Sequence, residues 1–175
     1  MKAMLSIVAA AAALAACAGS ERKPEEGLGW KIVPAASAAP AGFVRIDVDA
    51  GGARRSGSVA VGAGTQPVRD VDCSHYPRRI DSAGQVVHEE LCEGLDAALA
   101  AARFDDGYGV FYEFRVKRLL EMLDGPYGVK LPNTHLTGAE GGIHLPPGQS
   151  LVLSSGDRAG GEVVVTISVP AEARP

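Results

Sequence analysis

Four histidines, His75, His88, His135 and His144, lead the short list of side chains in this sequence with metal-binding or acid–base chemistry. The run His88-Glu89-Glu90 begins like the zinc-helix pattern H-E-x-x-H, in which two imidazoles one helical turn apart share a metal. The position that should carry the second histidine is Cys92, so the pattern fails. A catalytic zinc needs only three protein ligands, which leaves His88, His135 and His144, with Glu90, as a fallback set that no pairwise spacing supports. No metal or other cofactor is therefore expected. Serine nucleophiles fare no better: neither G-x-S-x-G nor S-x-x-K occurs, and Ser154-Ser155-Gly156 and Ser56-Gly57-Ser58 read as turn and strand-end residues. The acidic pairs Asp105-Asp106 and Glu89-Glu90 read as solvated surface. Gly107-Tyr108-Gly109 and Gly160-Gly161 lack the strand–loop–helix setting that cradles phosphate. Catalytic residues stay unassigned, and a non-enzyme is favoured.

The N-terminus carries a stronger signal. Met1 to Cys17 reads MKAMLSIVAAAAALAAC: one basic residue, then an apolar stretch too short to remain as a membrane-spanning helix, then small residues. Leu14-Ala15-Ala16-Cys17 resembles the lipobox of bacterial lipoproteins. That resemblance covers the leader only, and it implies cleavage before Cys17 and lipidation of that residue. It also implies a membrane as partner through the lipid anchor, because several acyl chains hold a protein stably where one does not. Ala18 follows the cysteine. In two-membrane bacteria an Asp there commonly retains a lipoprotein at the inner membrane, so its absence points to the outer membrane, facing the periplasm.

With Cys17 taken by lipid, Cys73 and Cys92 remain as two thiols in an oxidising compartment. Their evenness argues for a disulfide between them, closing a loop of about 20 residues and stabilising by about 3 kcal/mol in the chain-entropy picture. The spacing is not C-x-x-C, which argues against redox work. The bond would staple a polar loop onto a helix carrying Cys92. In that loop His75, Tyr76, Arg78 and Arg79 are the candidates for binding a partner, since loops held on rigid scaffolds frequently carry recognition.

Net charge is −4 and the basic residues cluster only as the pairs Arg54-Arg55 and Arg78-Arg79. A nucleic-acid partner needs a basic stripe, so none is expected. Aromatics are only 5% of the chain, while Gly at 22 and Pro at 11 call for many turns and short elements.

These groups need elements to position them. Residues 18–42, rich in Ala, Pro, Ser, Glu and Gly, read as a tether. Within it Gly29-Trp30-Lys31-Ile32-Val33 fits an added strand, a membrane-interface contact or a partner contact. The domain is expected over 43–170, with a tail at 171–175. Phe43 to Asp49 alternates apolar and charged residues, and with Ala50-Gly51-Gly52 and Ser58 to Val61 it predicts a hairpin. Leu91, Leu95, Leu99 and Ala102 predict a helix over about 86–104. Tyr108 to Arg115 reads as an aromatic-rich strand, and Val116 to Leu123 as a short helix stopped by Gly125-Pro126. Tyr127 to Pro147 reads as loop. Ser150 to Leu153 and Glu162 to Val169 form a last hairpin. The order ββαβαββ predicts an α+β fold, a small antiparallel sheet packed on one or two helices; the alternative is a β-sandwich with helical insertions.

The expected function is that of a membrane-anchored envelope lipoprotein binding another envelope protein: an assembly or secretion accessory, an inhibitor or an immunity protein. A cell-wall hydrolase using the histidines, and a small-ligand or glycan binder lined by Trp30, Tyr108 and Tyr112, are the other classes.

Overall fold

The structure, a computed structural model, describes residues 28–156 and 161–171. The leader, Cys17, the tether as far as residue 27 and the last four residues of the tail lie outside the described residues. The described residues form nine strands: β1 (Gly29–Pro34), β2 (Phe43–Ala50), β3 (Ala53–Ala60), β4 (Gln66–Ile80), β5 (Val86–Phe104), β6 (Gly107–Asp124), β7 (Lys130–Leu145), β8 (Gln149–Ser154) and β9 (Val163–Ser168). The first sheet has the order β1-β8-β9-β2-β3 and the second is the meander β4-β5-β6-β7, each antiparallel throughout. The α+β expectation is overturned. The described residues contain no α-helix, only one 3-10 turn at Pro126–Gly128. The alternative, a β-sandwich, is what forms, without the helical insertions.

The two predicted hairpins are present as β2–β3 and β8–β9. Val44, Ile46 and Val48 face the interior from β2, and Val163, Val165 and Ile167 from β9. Trp30 and Ile32 stand opposite Leu153 and Leu151, so β1 joins the sheet as its outer strand.

The predicted helix over 86–104 is the strand β5. Leu91, Leu95 and Leu99 recur every four residues, and a spacing of four is also a multiple of two. The same residues therefore line one face of a helix and one face of a strand. The alanines complete the strand face: Ala97 and Ala101 are buried with Leu95 and Leu99. What decides is the neighbour. Phe114 of β6 lies between Ala97 of β5 and Ala139 of β7, and Tyr112 lies between Leu99 and Gly141. A Cβ on Gly141 would sit 2.7 Å from the Tyr112 hydroxyl. The small residues leave room for the aromatic rings of the central strand, and that packing overrides the helical preference of an alanine run.

The predicted helix over 116–123 is the outer half of β6. A bulge between Leu119 and Glu121 shifts the register against β7 by one residue. An extra residue inverts the alternation beyond it, and the resulting run Leu119, Leu120, Leu123 mimics a helical face. The predicted loop over 127–147 is mostly β7, the outer strand of its sheet. Pro132 is tolerated there because an outer strand has a side without ladder bonds.

The strands run between two poles. At one lie the β2–β3 turn, the start of β1 opposite Ser154, and the ends of the β8–β9 hairpin. At the other lie the turns between β3 and β4, β5 and β6, and β7 and β8, with Gly62 N donating to Ala101 O at 2.8 Å. The core fills the space between the sheets, from Val44, Ile46, Leu151 and Ile167 on one side to Leu95, Leu99, Tyr112 and Phe114 on the other. The second sheet is longer than the first and runs past it.

Candidate functional site

Pairing between β5 and β6 ends at Gly94 and Lys117, whereas β4–β5 and β6–β7 pairing continue to Ile80–Val86 and Asp124–Lys130. The second sheet therefore forks into two β-hairpin arms. The fork lies at the pole of the β2–β3 turn, since a Cβ on Gly51 would meet the Arg118 guanidinium at 2.3 Å. Glu93 accepts a hydrogen bond from Leu119 N across the crotch. From Cys73 to Ile80 the first arm extends about 23 Å, and from Arg118 to Asp124 the second extends about 20 Å, at 3.3 Å per residue. Parts of the outer strands β4 and β7 come within 8 Å of each other despite the two strands between them in pairing order. A flat sheet would hold them about 14 Å apart, so this sheet coils strongly.

The first arm carries the residues singled out for binding. Cys73 and Cys92 are joined by a disulfide, directly opposite one another with Cα atoms 4.0 Å apart. The bond crosses two paired strands. The expectation that it staples a loop to a helix is corrected, because residues 74–91 are the hairpin itself. His75 and Glu90 share the disulfide's face, opposite each other in register. Tyr76 is on the other face and buried. Its hydroxyl donates to Glu89 Oε2 at 2.9 Å, and Arg78 pairs with the same carboxylate. The Arg78 and Tyr76 hydrogen bonds hold Glu89 below the usual carboxylate range, while burial and the Glu89 bond push the Tyr76 hydroxyl up. A bulge between Pro77 and Arg79 releases Arg78 from register. Ile80 and Val86, opposite one another at the end of the arm, are exposed. Asp81 Oδ1 accepts from Ala83 N and Gln85 N and closes the turn. His75, Arg78 and Arg79 thus sit exposed on a braced hairpin, while Tyr76 is buried and tied to Glu89.

The second arm was not anticipated. Leu123 and Leu131 face each other across it, 46% and 49% exposed, and Tyr127 at the apex is 88% exposed. Tyr127 and Gly128 have φ of 60° and 77°, and Gly125 N donates to Val129 O at 2.8 Å. Two left-handed residues at a hairpin end ordinarily call for Asn-Gly or Gly-Gly, and an aromatic residue there costs conformational energy. A Tyr-Gly pair between two leucines is the sequence signal that marks this tip.

The histidines do not assemble. His88 lies opposite Pro77, His135 opposite Arg118, and His144 packs on the Phe104 ring with Asp106 3.3 Å away. Among the described residues the sole group of three or more metal-type ligands within reach of one another is Cys73, Glu90 and Cys92, and its two sulfurs are bonded to each other. Ser155 Oγ accepts a hydrogen bond from Val163 N, as a turn residue does. Tyr108 and Tyr112 are buried in the core, which leaves Trp30 alone exposed among the residues named for a glycan face.

A depression of about 350 Å³ on the outer face of the first sheet holds Arg45, Asp47, Arg55 and Asp70. Its charges are committed to one another: Arg45 to Asp47 at 2.6 Å, and Arg55 to Asp70 at 3.3 Å and to Asp72. Among the described residues no helix is long and apolar enough to cross a membrane. No protein-family model, no curated protein and no solved structure matches this chain.

Proposed function

We propose that this chain is a lipid-anchored protein of the bacterial envelope that acts by binding an envelope protein, with the disulfide-braced arm as its contact element. The observation that supports this reading is the arm itself. It is a hairpin that continues past the last β5–β6 pair, cross-linked at Cys73–Cys92, internally tied through Tyr76, Glu89 and Arg78, and exposing His75, Arg79, Ile80 and Val86. Bracing reduces the ordering cost of association, and exposed apolar residues at the end supply contact area. A membrane anchor on Cys17 concentrates such an arm near targets at the same surface, and Ala18 supports delivery to the outer membrane of a two-membrane host.

The test places a photo-crosslinking amino acid at His75, Arg79 or Val86, one at a time, in the full-length protein in intact cells. Capture of one dominant envelope protein at these positions, and not from Thr65 at the opposite pole, is the expected result. Equal capture from both poles, or none from the arm, overturns the reading.

A further inference from the structure

We infer that the second arm inserts its tip into the surface of the lipid bilayer to which Cys17 anchors the chain, a proposal that rests on the lipid-anchor reading. Three observations carry it. The first is chain geometry. Cys17 precedes Leu28 by eleven residues (28 − 17 = 11), and a chain of that length spans at most about 40 Å in any conformation. The chain enters the fold at Gly29, opposite Ser154, at the pole from which both arms project. The second arm extends about 20 Å beyond that level, so its tip lies within reach of the membrane that holds the anchor.

The second observation is the chemistry of the tip. Leu123 faces Leu131 near the far end of the arm and Tyr127 stands at its apex, all three exposed. Between these leucines and the apex Asp124 is ion-paired to Lys130, and on the other side of the leucines Glu121 accepts from Asn133 at 3.0 Å. A tip of exposed leucines and a tyrosine, with the charges between them paired to each other, suits the boundary between headgroups and acyl chains, where amphipathic aromatic rings concentrate. It makes no demand for anionic lipid. The third observation is Tyr127, held at φ 60° and left 88% exposed. The fold tolerates an aromatic side chain in a position that favours glycine or asparagine, and directs it away from the protein. Trp30, the single tryptophan, lies half-exposed near the same pole.

The test uses the lipidated mature protein in vesicles of phosphatidylethanolamine and phosphatidylglycerol containing brominated phosphatidylcholine. In a Trp30→Phe background, Tyr127→Trp reports on the arm and Thr65→Trp on the opposite pole. Strong quenching of the Tyr127→Trp emission, absent for Thr65→Trp and lost when Leu123→Ser and Leu131→Ser are added, is the expected result. Circular dichroism of each variant confirms that the fold is retained. Quenching no greater than at Thr65→Trp, with the lipid on Cys17 verified by mass spectrometry, overturns the proposal and leaves the anchor intact. It would assign the tip to a protein partner instead. An unmodified Cys17 overturns the anchor reading and this proposal together.

Discussion

Gly94 stands opposite Lys117, and beyond that pair β5 and β6 no longer hydrogen-bond. Gly94 has φ +127°, and a Cβ there would lie 2.3 Å from Asp70 O on the neighbouring strand β4. The backbone at the fork therefore takes a course that only glycine accommodates, and β4 packs directly against the bare Cα. The two arms diverge from this point.

Gly94→Ala is expected to destabilise by about 1–3 kcal/mol through left-handed strain and the clash with Asp70. Urea denaturation measures it. A variant as stable as the parent would show that the fork does not depend on a bare backbone at this position.

The aromatic stripe of β6 requires its small neighbours. Ala97→Leu forces a larger side chain against Phe114, and overpacking of this kind costs about 1–3 kcal/mol. Phe114→Ala is expected to cost more, about 3–5 kcal/mol, because it empties the centre of the core. If Ala97→Leu leaves the unfolding midpoint unchanged, Phe114 and Ala97 are not in the close register described.

The disulfide should act on the first arm more than on the core. In a Cys73→Ala, Cys92→Ala variant, amide exchange over 74–91 is expected to accelerate while strands β2 and β9 keep their protection, because local opening of an arm does not require the sandwich to open. Uniform loss of protection along the chain would mean that the cross-link stabilises the domain as a whole.

Glu89 gives the arm a pH dependence. Its carboxyl is held below the ordinary glutamate value of about 4.3, first by the Arg78 hydrogen bond and then by that of Tyr76. A folded-state value lower than the unfolded one means that the unfolded chain binds the proton more readily. The stabilisation is then complete above the unfolded value and disappears as pH falls through the folded one. The arm's amide protection should accordingly hold at neutral pH and decline in acid below about pH 4. In Glu89→Gln that acid-dependent decline should be absent. Retention of the same profile in Glu89→Gln would assign it to another group.

The sequence alone determined the features written in local chemistry. Alternation at Phe43 to Asp49 and from Val163 to Val169 marked two hairpins, because period-2 patterns name their own burial face. The pairing of Cys73 with Cys92 followed from parity of the available thiols. The lipobox-like Leu14 to Cys17 is legible in the same local way and stands as the basis of a proposal. The rest came from contacts between strands far apart along the chain. Leu91, Leu95 and Leu99 satisfy helix and strand alike, and the choice between them came from Phe114 and Tyr112, which need Ala97, Ala139 and Gly141 beside them. Tyr108 to Arg115 was legible as the first half of β6, and the bulge at Leu120 inverted the alternation of its outer half and hid that half as a strand. The arms were invisible for the same reason. Whether Leu123, Tyr127 and Leu131 are buried or exposed depends on where β5 leaves β6, and that separation is a relation between strands distant along the chain that no local pattern encodes.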